Sequence, residues 1–247
     1  MSAAQLRIDW CTLEAARFAC ERWHYSASIP MPPLVRIGVW EDTRFIGVVL
    51  FSRGASPHLL SRYGLQQHEG CELTRVALTT HRTPVSRIVA IAIKFLRGRA
   101  PGLRLIVSFA DPNAGHHGGI YQAGGWLYCG TSAGKVDWIG PDGKFYLNRQ
   151  TSVSGRVRQF GKVTKVFKRA DCTPVEMAPK HRYLMPLDAD MRASVLPLVQ
   201  PYPKKTIIHT RAKDQAAESP SALGGETPTR TLQLQDRPEA TGTVTAK

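Results

Sequence analysis

Residues 103–110 read LRLIVSFA, an apolar run that is too short for a buried helix and broken only at Arg104 and Ser108. Such a run reads as a central strand, which must be covered on both faces. The preceding segment supplies a cover. In PVSRIVAIAIKFLRGR (84–99), Pro84 occupies a first-turn position and Val85, Ile88, Val89, Ala92 and Leu96 form one apolar stripe, so a helix is predicted there. Earlier, QLRID (5–9) alternates like a short strand, and TLEAARFACERW (12–23) follows with a Thr cap, an acidic first turn and helical spacing. LVRIGVW (34–40) and FIGVVLFS (45–52) flank the polar EDTR and predict a hairpin with a four-residue turn, and CELTRVAL (71–78) predicts a further strand. After 110 come a short helix at GGIYQAG and closing strands at WLYCG (126–130) and KFYLNR (144–149), around the turn GPDG. The predicted class is α/β, with a mixed central sheet flanked by helices over about 1–150.

Charge then sets the partner. The net charge is +14, unevenly placed, and a field of that sign attracts phosphate backbones. From 155 the chain reads GRVRQFGKVTKVFKRAD, where Arg156, Arg158, Lys162, Lys165, Lys168 and Arg169 alternate with Val157, Phe160, Val163, Val166 and Phe167. Cations interleaved with aromatics predict a nucleic-acid surface on a basic extension over 151–202; the alternative is an edge hairpin with a solvated face. Six phosphate contacts there would give a slope of log affinity against log salt of roughly −5. From about Pro203 to 247 the chain is poor in aromatics and rich in Thr, Ala, Gln and Pro, and a disordered tail is expected. Five scattered cysteines without a Cys-x-x-Cys pair fit a reducing cytoplasm, and no apolar run approaches the roughly 20 residues that cross a bilayer.

The strand, loop and helix order of LTRVALTTHRTPVSRI can aim a helix N-terminus at a phosphate, with Arg82, Arg87 and Ser86 adding charge and a hydroxyl. The densest chemistry follows the central strand, in FADPNAGHHGGIYQAGGW (109–126). Its acid, paired histidines, tyrosine and glycines read as a catalytic or metal site, a phosphate loop, or a plain strand-to-helix turn.

The order of elements, with LTRVAL…RTPVSRIVAIAIKFL before LIVSFADP…GIYQAGGW, resembles the GNAT acyltransferase fold. More narrowly, the segment from IDWCTLEAARFACERWHYS to FSRGAS, with GCELTRVAL, TPVSRIV and SFADPNAGHHGGIYQAGGW, closely resembles the Mom protein family of Mu-like phages, from about residue 5 to 185. Members of that family convert adenine in phage DNA to its N6-carbamoylmethyl form, which blocks host restriction. The resemblance implies such an enzyme in the host cytoplasm, with double-stranded DNA as partner.

It also marks individual residues: His24 and Tyr25 in WHYS, Arg75 in LTRVAL, Ser86 in TPVSRI, Asp111 in FADP and Tyr121 in GIYQ. Asp111, just past a central strand, can accept a proton or bind a metal. Tyr121 can protonate a leaving group, and Tyr25, Tyr121 or Trp126 can stack on an extruded base. The loop RTPVSR departs from the GNAT pattern, with Val85 and Arg87 where spaced glycines usually admit a pyrophosphate. The implied product joins the adenine amine to a carbon alpha to a carboxamide, which simple acyl transfer does not yield. Two routes remain open. One is Fe(II), held by some of His24, Asp111, His116 and His117, acting on an acetyl-CoA donor; adjacent His116 and His117 would supply at most one ligand. The other is an activated glycine or aminoacyl donor. An acyl-CoA N-acyltransferase acting on another amine, or a non-catalytic basic DNA-binding protein on the same scaffold, are the alternatives.

Overall fold

The computed structural model describes residues 5–54, 56–159 and 161–204. Strand β1 (Leu6–Trp10) leads into helix α1 (Leu13–Trp23), whose N-cap Thr12 accepts from the Ala15 N–H at 3.2 Å. Strands β2 (Leu34–Glu41) and β3 (Arg44–Ser52) form the expected hairpin. Glu41 pairs with Arg44, so the loop is two residues, tighter than the four read from EDTR, and Asp42 takes a positive φ of 57°. After β4 (Gly70–Leu78), helix α2 (Val85–Arg99) crosses over to β5 (Leu105–Ala110). Short helix α3 (Gly119–Ala123) and β6 (Leu127–Thr131) follow.

β5 is buried on both faces, as its composition demands. Ile106 and Ala110 enter one core with Ile88, Val89 and Ala92 of α2, while Leu105 and Val107 enter another on the opposite face. Full burial of an Ile or Leu side chain contributes roughly 1.5–3 kcal/mol. α1 builds a third cluster, setting Ala16, Ala19 and Cys20 on Val48, Leu50 and Ala77.

Strand β7 (Lys135–Ile139) has no counterpart in the sequence reading. KFYLNR supplies only the two-residue β8 (Phe145–Tyr146), paired with β7 outside the main sheet. Beyond it lie β9 (Thr151–Ser152), the hairpin β10 (Arg156–Gln159) and β11 (Lys162–Lys165), and β12 (Phe167–Lys168), which pairs with β9. Phe160 and the bulk of the expected disordered tail, residues 205–247, lie outside the described residues. β13 (Thr173–Met177) pairs with β7, and β14 (His181–Pro186) precedes helix α4 (Ala189–Val195).

The main sheet runs β1-β2-β3-β4-β5-β14-β6, with β4 and β5 as its parallel pair. β14, from the segment read as a basic extension, therefore sits inside the sheet between β5 and β6. The physical reason is the pair Tyr183 and Leu184, both fully buried, preceded by the His181 and Arg182 that gave the segment its basic look. Arg104 at the start of β5 pairs with Asp188, the N-cap of α4, at 2.9 Å. No helix among the described residues is long and apolar enough to cross a membrane.

The β2 end and the α2 start are tied by one carboxylate. Glu41, almost wholly buried, accepts from the Thr83 hydroxyl at 2.7 Å, the Thr83 N–H at 2.8 Å and the Arg82 N–H at 2.9 Å. The Thr83 hydroxyl and the Arg82 amide outweigh burial and hold its carboxyl down to about 2. A depressed carboxylate contributes stability that is complete above its unfolded value and lost as pH falls through the folded one. Glu41→Gln is expected to cost about 1–3 kcal/mol at pH 7. The wild-type melting temperature should drop between pH 5 and pH 2, and the gap to the variant should narrow over that window; parallel melting curves would contradict this account.

Candidate active site

β4 and β5 pair only from Gly70 with Leu105 to Leu73 with Ser108. Beyond that point β4 stays on β3 as far as Leu78, and β5 turns away after Ala110. A cleft of about 570 Å³ opens in the fork, and its lining begins at Thr74 on one strand and Phe109 on the other, one residue past the last pair. The end of α1 contributes His24 and Tyr25, β4 contributes Arg75, the β5–α3 connection contributes Asp111, His116 and His117, and α3 contributes Tyr121. Five residues predicted from four separate motifs, His24, Tyr25, Arg75, Asp111 and Tyr121, thus line one cavity.

The connection is pinned from outside. Asp111 caps the 3-10 turn Pro112–Ala114: its Oδ1 accepts from the Asn113 N–H at 3.0 Å and from Asn113 Nδ2 at 2.8 Å. Asn113 also exchanges two hydrogen bonds with the Ala178 backbone, at 3.0 and 3.1 Å. Lys180 Nζ reaches Asp111 Oδ2 at 2.8 Å. Burial alone would raise the Asp111 carboxyl, but the bonds from Lys180 and Asn113 prevail and hold it below its ordinary value. Further along, the Tyr183 hydroxyl donates to the His117 carbonyl at 2.6 Å, and a Cβ on Gly118 (φ 88°) would lie 2.3 Å from the Tyr183 ring. Only glycine lets the loop pass that ring.

Tyr121 is buried and its hydroxyl lies 2.8 Å from Ser108 Oγ, which lies 2.8 Å from the Leu73 carbonyl. A carbonyl can only accept, so the single Ser108 proton goes to Leu73 and Tyr121 donates to Ser108. The Tyr121 oxygen keeps its lone pairs for the cleft, and burial pushes its pKa up to about 12. His24 Nδ1 accepts from the Ser26 N–H at 3.1 Å, which places the ring proton on Nε2. Burial, reinforced by the charge of Arg75 and by His116, lowers His24 to about 4, so it is neutral at pH 7. Tyr25 lies between two imidazoles, with ring centroids 4.3 Å from His24 and 5.0 Å from His116, yet 55% of it remains exposed. Arg75 Nη1 donates to the Thr74 carbonyl at 2.8 Å, while its Nε is buried without a hydrogen-bond partner.

Other expected site residues lie elsewhere. Arg82, itself largely exposed, pairs with Asp42 and Glu41 beside a separate depression and does not line the cleft. Ser86 and Arg87 sit on the first turn of α2, where only their neighbour Val85 lines the cleft. Trp126 is 1% exposed, packed on Tyr121 at 5.1 Å, and has no face for a base. The residues expected to hold iron, His24, Asp111, His116 and His117, form no ready metal site: Asp111 is bonded to Lys180 and Asn113, His24 Nδ1 accepts from Ser26, and among the described residues no three His, Cys, Asp or Glu side chains converge. Sequence reasoning missed Ser108, Asn113, Lys180 and Tyr183. Ser108 was visible as the polar break in a buried strand, and Lys180 and Tyr183 lay in PKHRY (179–183), inside the stretch read as a basic extension. Tyr183→Phe is expected to cost about 0.5–1.5 kcal/mol and to speed amide hydrogen exchange at residues 115–118. Unchanged protection there would show that the bond to His117 does not hold the loop.

Comparison with known proteins bears on this arrangement. The chain is 27% identical to the methylcarbamoylase Mom of Escherichia phage Mu over 207 residues, covering 81% of this chain and 84% of that protein. Among solved structures it is similar to a Bacillus subtilis acetyltransferase in complex with CoA, at 11% identity and a TM-score of 0.42, covering 75% of this chain and 100% of the other. It is also similar to FeeM, an N-acyl amino acid synthase from uncultured soil microbes, at 11% identity and a TM-score of 0.41, covering 79% and 98%. Residues 5–204 match the Mom protein family, and the chain belongs to that family.

Proposed function

We propose that the protein is a phage DNA-modification transferase that converts adenine in double-stranded DNA to N6-carbamoylmethyl-adenine and so protects that DNA from restriction in the host cytoplasm. One observation carries this reading: a single cleft collects His24, Tyr25, Arg75, Asp111 and Tyr121 from four different parts of a Mom-family chain. The methylcarbamoylase name of the phage Mu relative supports the same reaction class.

The N6 amine of a paired adenine is inaccessible to a side chain at the bottom of a cleft, so the base is extruded at a cost of a few kcal/mol. Tyr25, more than half exposed and in ring contact with His24 and His116, offers an aromatic surface for that base. Arg75 lines the cleft and offers its positive charge to an anionic group of the donor, which is acetyl-CoA or an activated glycine. With an activated glycine as donor, the product holds the atoms of adenine plus the glycyl group, so the transfer releases one N6 proton and the donor's leaving group; an acetyl-CoA donor would require in addition a two-electron oxidant and a source of the amide nitrogen. Neutral His24 and the Tyr121 oxygen lie in the cleft as polar partners for these groups. Asp111, bonded through both oxygens and held ionised below its ordinary carboxyl value by Lys180 and Asn113, orients the loop and is a weak base for proton abstraction.

Arg156, Arg158, Lys162, Lys165, Lys168 and Arg169 act as the phosphate grip. Replacing Lys162 and Lys165 by Ala should make the slope of log affinity against log salt shallower by about 2. Equal slopes in a filter-binding titration would remove the hairpin from the grip. The reaction itself is tested by mass spectrometry of nucleosides from plasmid DNA in cells expressing the protein. A carbamoylmethylated adenine is expected, reduced on the order of tenfold by Tyr25→Ala and retained by Tyr25→Phe. Folded protein with no modified adenine would sink the proposal. Acetyl-CoA binding and acylation of a non-DNA amine would instead establish an N-acyltransferase.

A further inference from the structure

A second cavity, of about 540 Å³, lies away from the cleft among β8, β10, β11 and β12. Tyr146 and Phe167 line it, their rings edge to face at 5.2 Å, each only half-buried. Val157 and Val166 add apolar surface, and Arg149 and Lys165 add charge. The Tyr146 hydroxyl donates to Asp142 at 2.7 Å, which fixes the ring. Between residues 143 and 170 there are eight cations and no Asp or Glu. A duplex-gripping patch needs cations alone; an aromatic, apolar groove edged by them matches an unstacked base with its phosphates. An acidic peptide would satisfy the charges but makes no particular use of exposed ring faces.

We propose that this groove is a site for an unpaired nucleotide of the DNA strand, with the base against Tyr146 and Phe167 and the flanking phosphates on Arg149 and Lys165. This rests on the reading of DNA as substrate. The ladder supports its placement: β8 pairs with β7, β7 with β13, and the residue after β13, Ala178, is bonded to Asn113 at the cleft. Two strand spacings and three residues along β7 separate Tyr146 from Met177, on the order of 15 Å. A strand opened around an extruded adenine can therefore reach the groove within a few nucleotides.

The test is fluorescence anisotropy of the full-length protein with labelled oligonucleotides, comparing a fully paired duplex with the same duplex carrying a short unpaired stretch beside an adenine. The unpaired stretch should bind on the order of tenfold more tightly. Phe167→Leu and Tyr146→Leu should abolish that preference and leave duplex affinity unchanged, and the exposed Arg149→Ala, which does not touch the fold, should weaken it several-fold. Light-induced crosslinking of 5-iododeoxyuridine in the unpaired stretch should map to Tyr146 or Phe167. The inference fails if the variants keep the preference, if crosslinks fall elsewhere, or if a poly-glutamate peptide occupies the groove in place of the unpaired strand. Nucleoside mass spectrometry separates the two levels: modified adenine with no groove effect overturns this site alone, whereas absence of the product overturns the substrate reading.

Discussion

Past Leu73 and Ser108 the backbones of β4 and β5 separate, and the polar groups facing the gap lose the ladder that served them. Ser108 meets part of that demand by donating to the Leu73 carbonyl, and in doing so it becomes the acceptor for Tyr121. The cleft, the orientation of Tyr121 and the retained lone pairs of its oxygen all follow from this one junction. A buried serine here is a structural bond and a functional support at once, because an unpaired carbonyl in its place would cost about 1–3 kcal/mol.

The second dependence is on β14. Its Tyr183 fills the space beside Gly118 and holds the His117 carbonyl, and residues 178–180 immediately before it hold Asn113 and Asp111. The loop carrying both histidines is thus shaped by chain some 60 residues later in sequence (|i−j| of 65 for Asn113 with Ala178). The same segment continues from β13, so the small β13-β7-β8 sheet and the wall of the cleft share a continuous backbone connection.

Much of the frame was legible in the residues. LIVSFA could only be a doubly covered strand, the stripe from Val85 to Leu96 could only be a helix packed on it, and Thr12 announced the start of α1. The motifs marked by family resemblance also carried the cleft residues His24, Tyr25, Arg75, Asp111 and Tyr121. What stayed hidden was pairing. Nothing local says that the Asp111 carboxylate is taken by Lys180, that Arg82 pairs with Glu41 and Asp42, or that HRYLMP inserts between β5 and β6. Such facts depend on long-range register, which side-chain periodicity does not encode.

By itself the sequence determined the secondary structure of the core, through apolar periodicity, and the polycationic character of residues 155–169, because both are properties of residues taken in order. Only the tertiary structure decided which candidate side chains share a cavity and which are consumed by neighbours. Lys180 against Asp111, Ser26 against His24 and Glu41 against the α2 start are all contacts whose strength depends on distance and burial. Those quantities exist only once strands distant in sequence have been brought side by side.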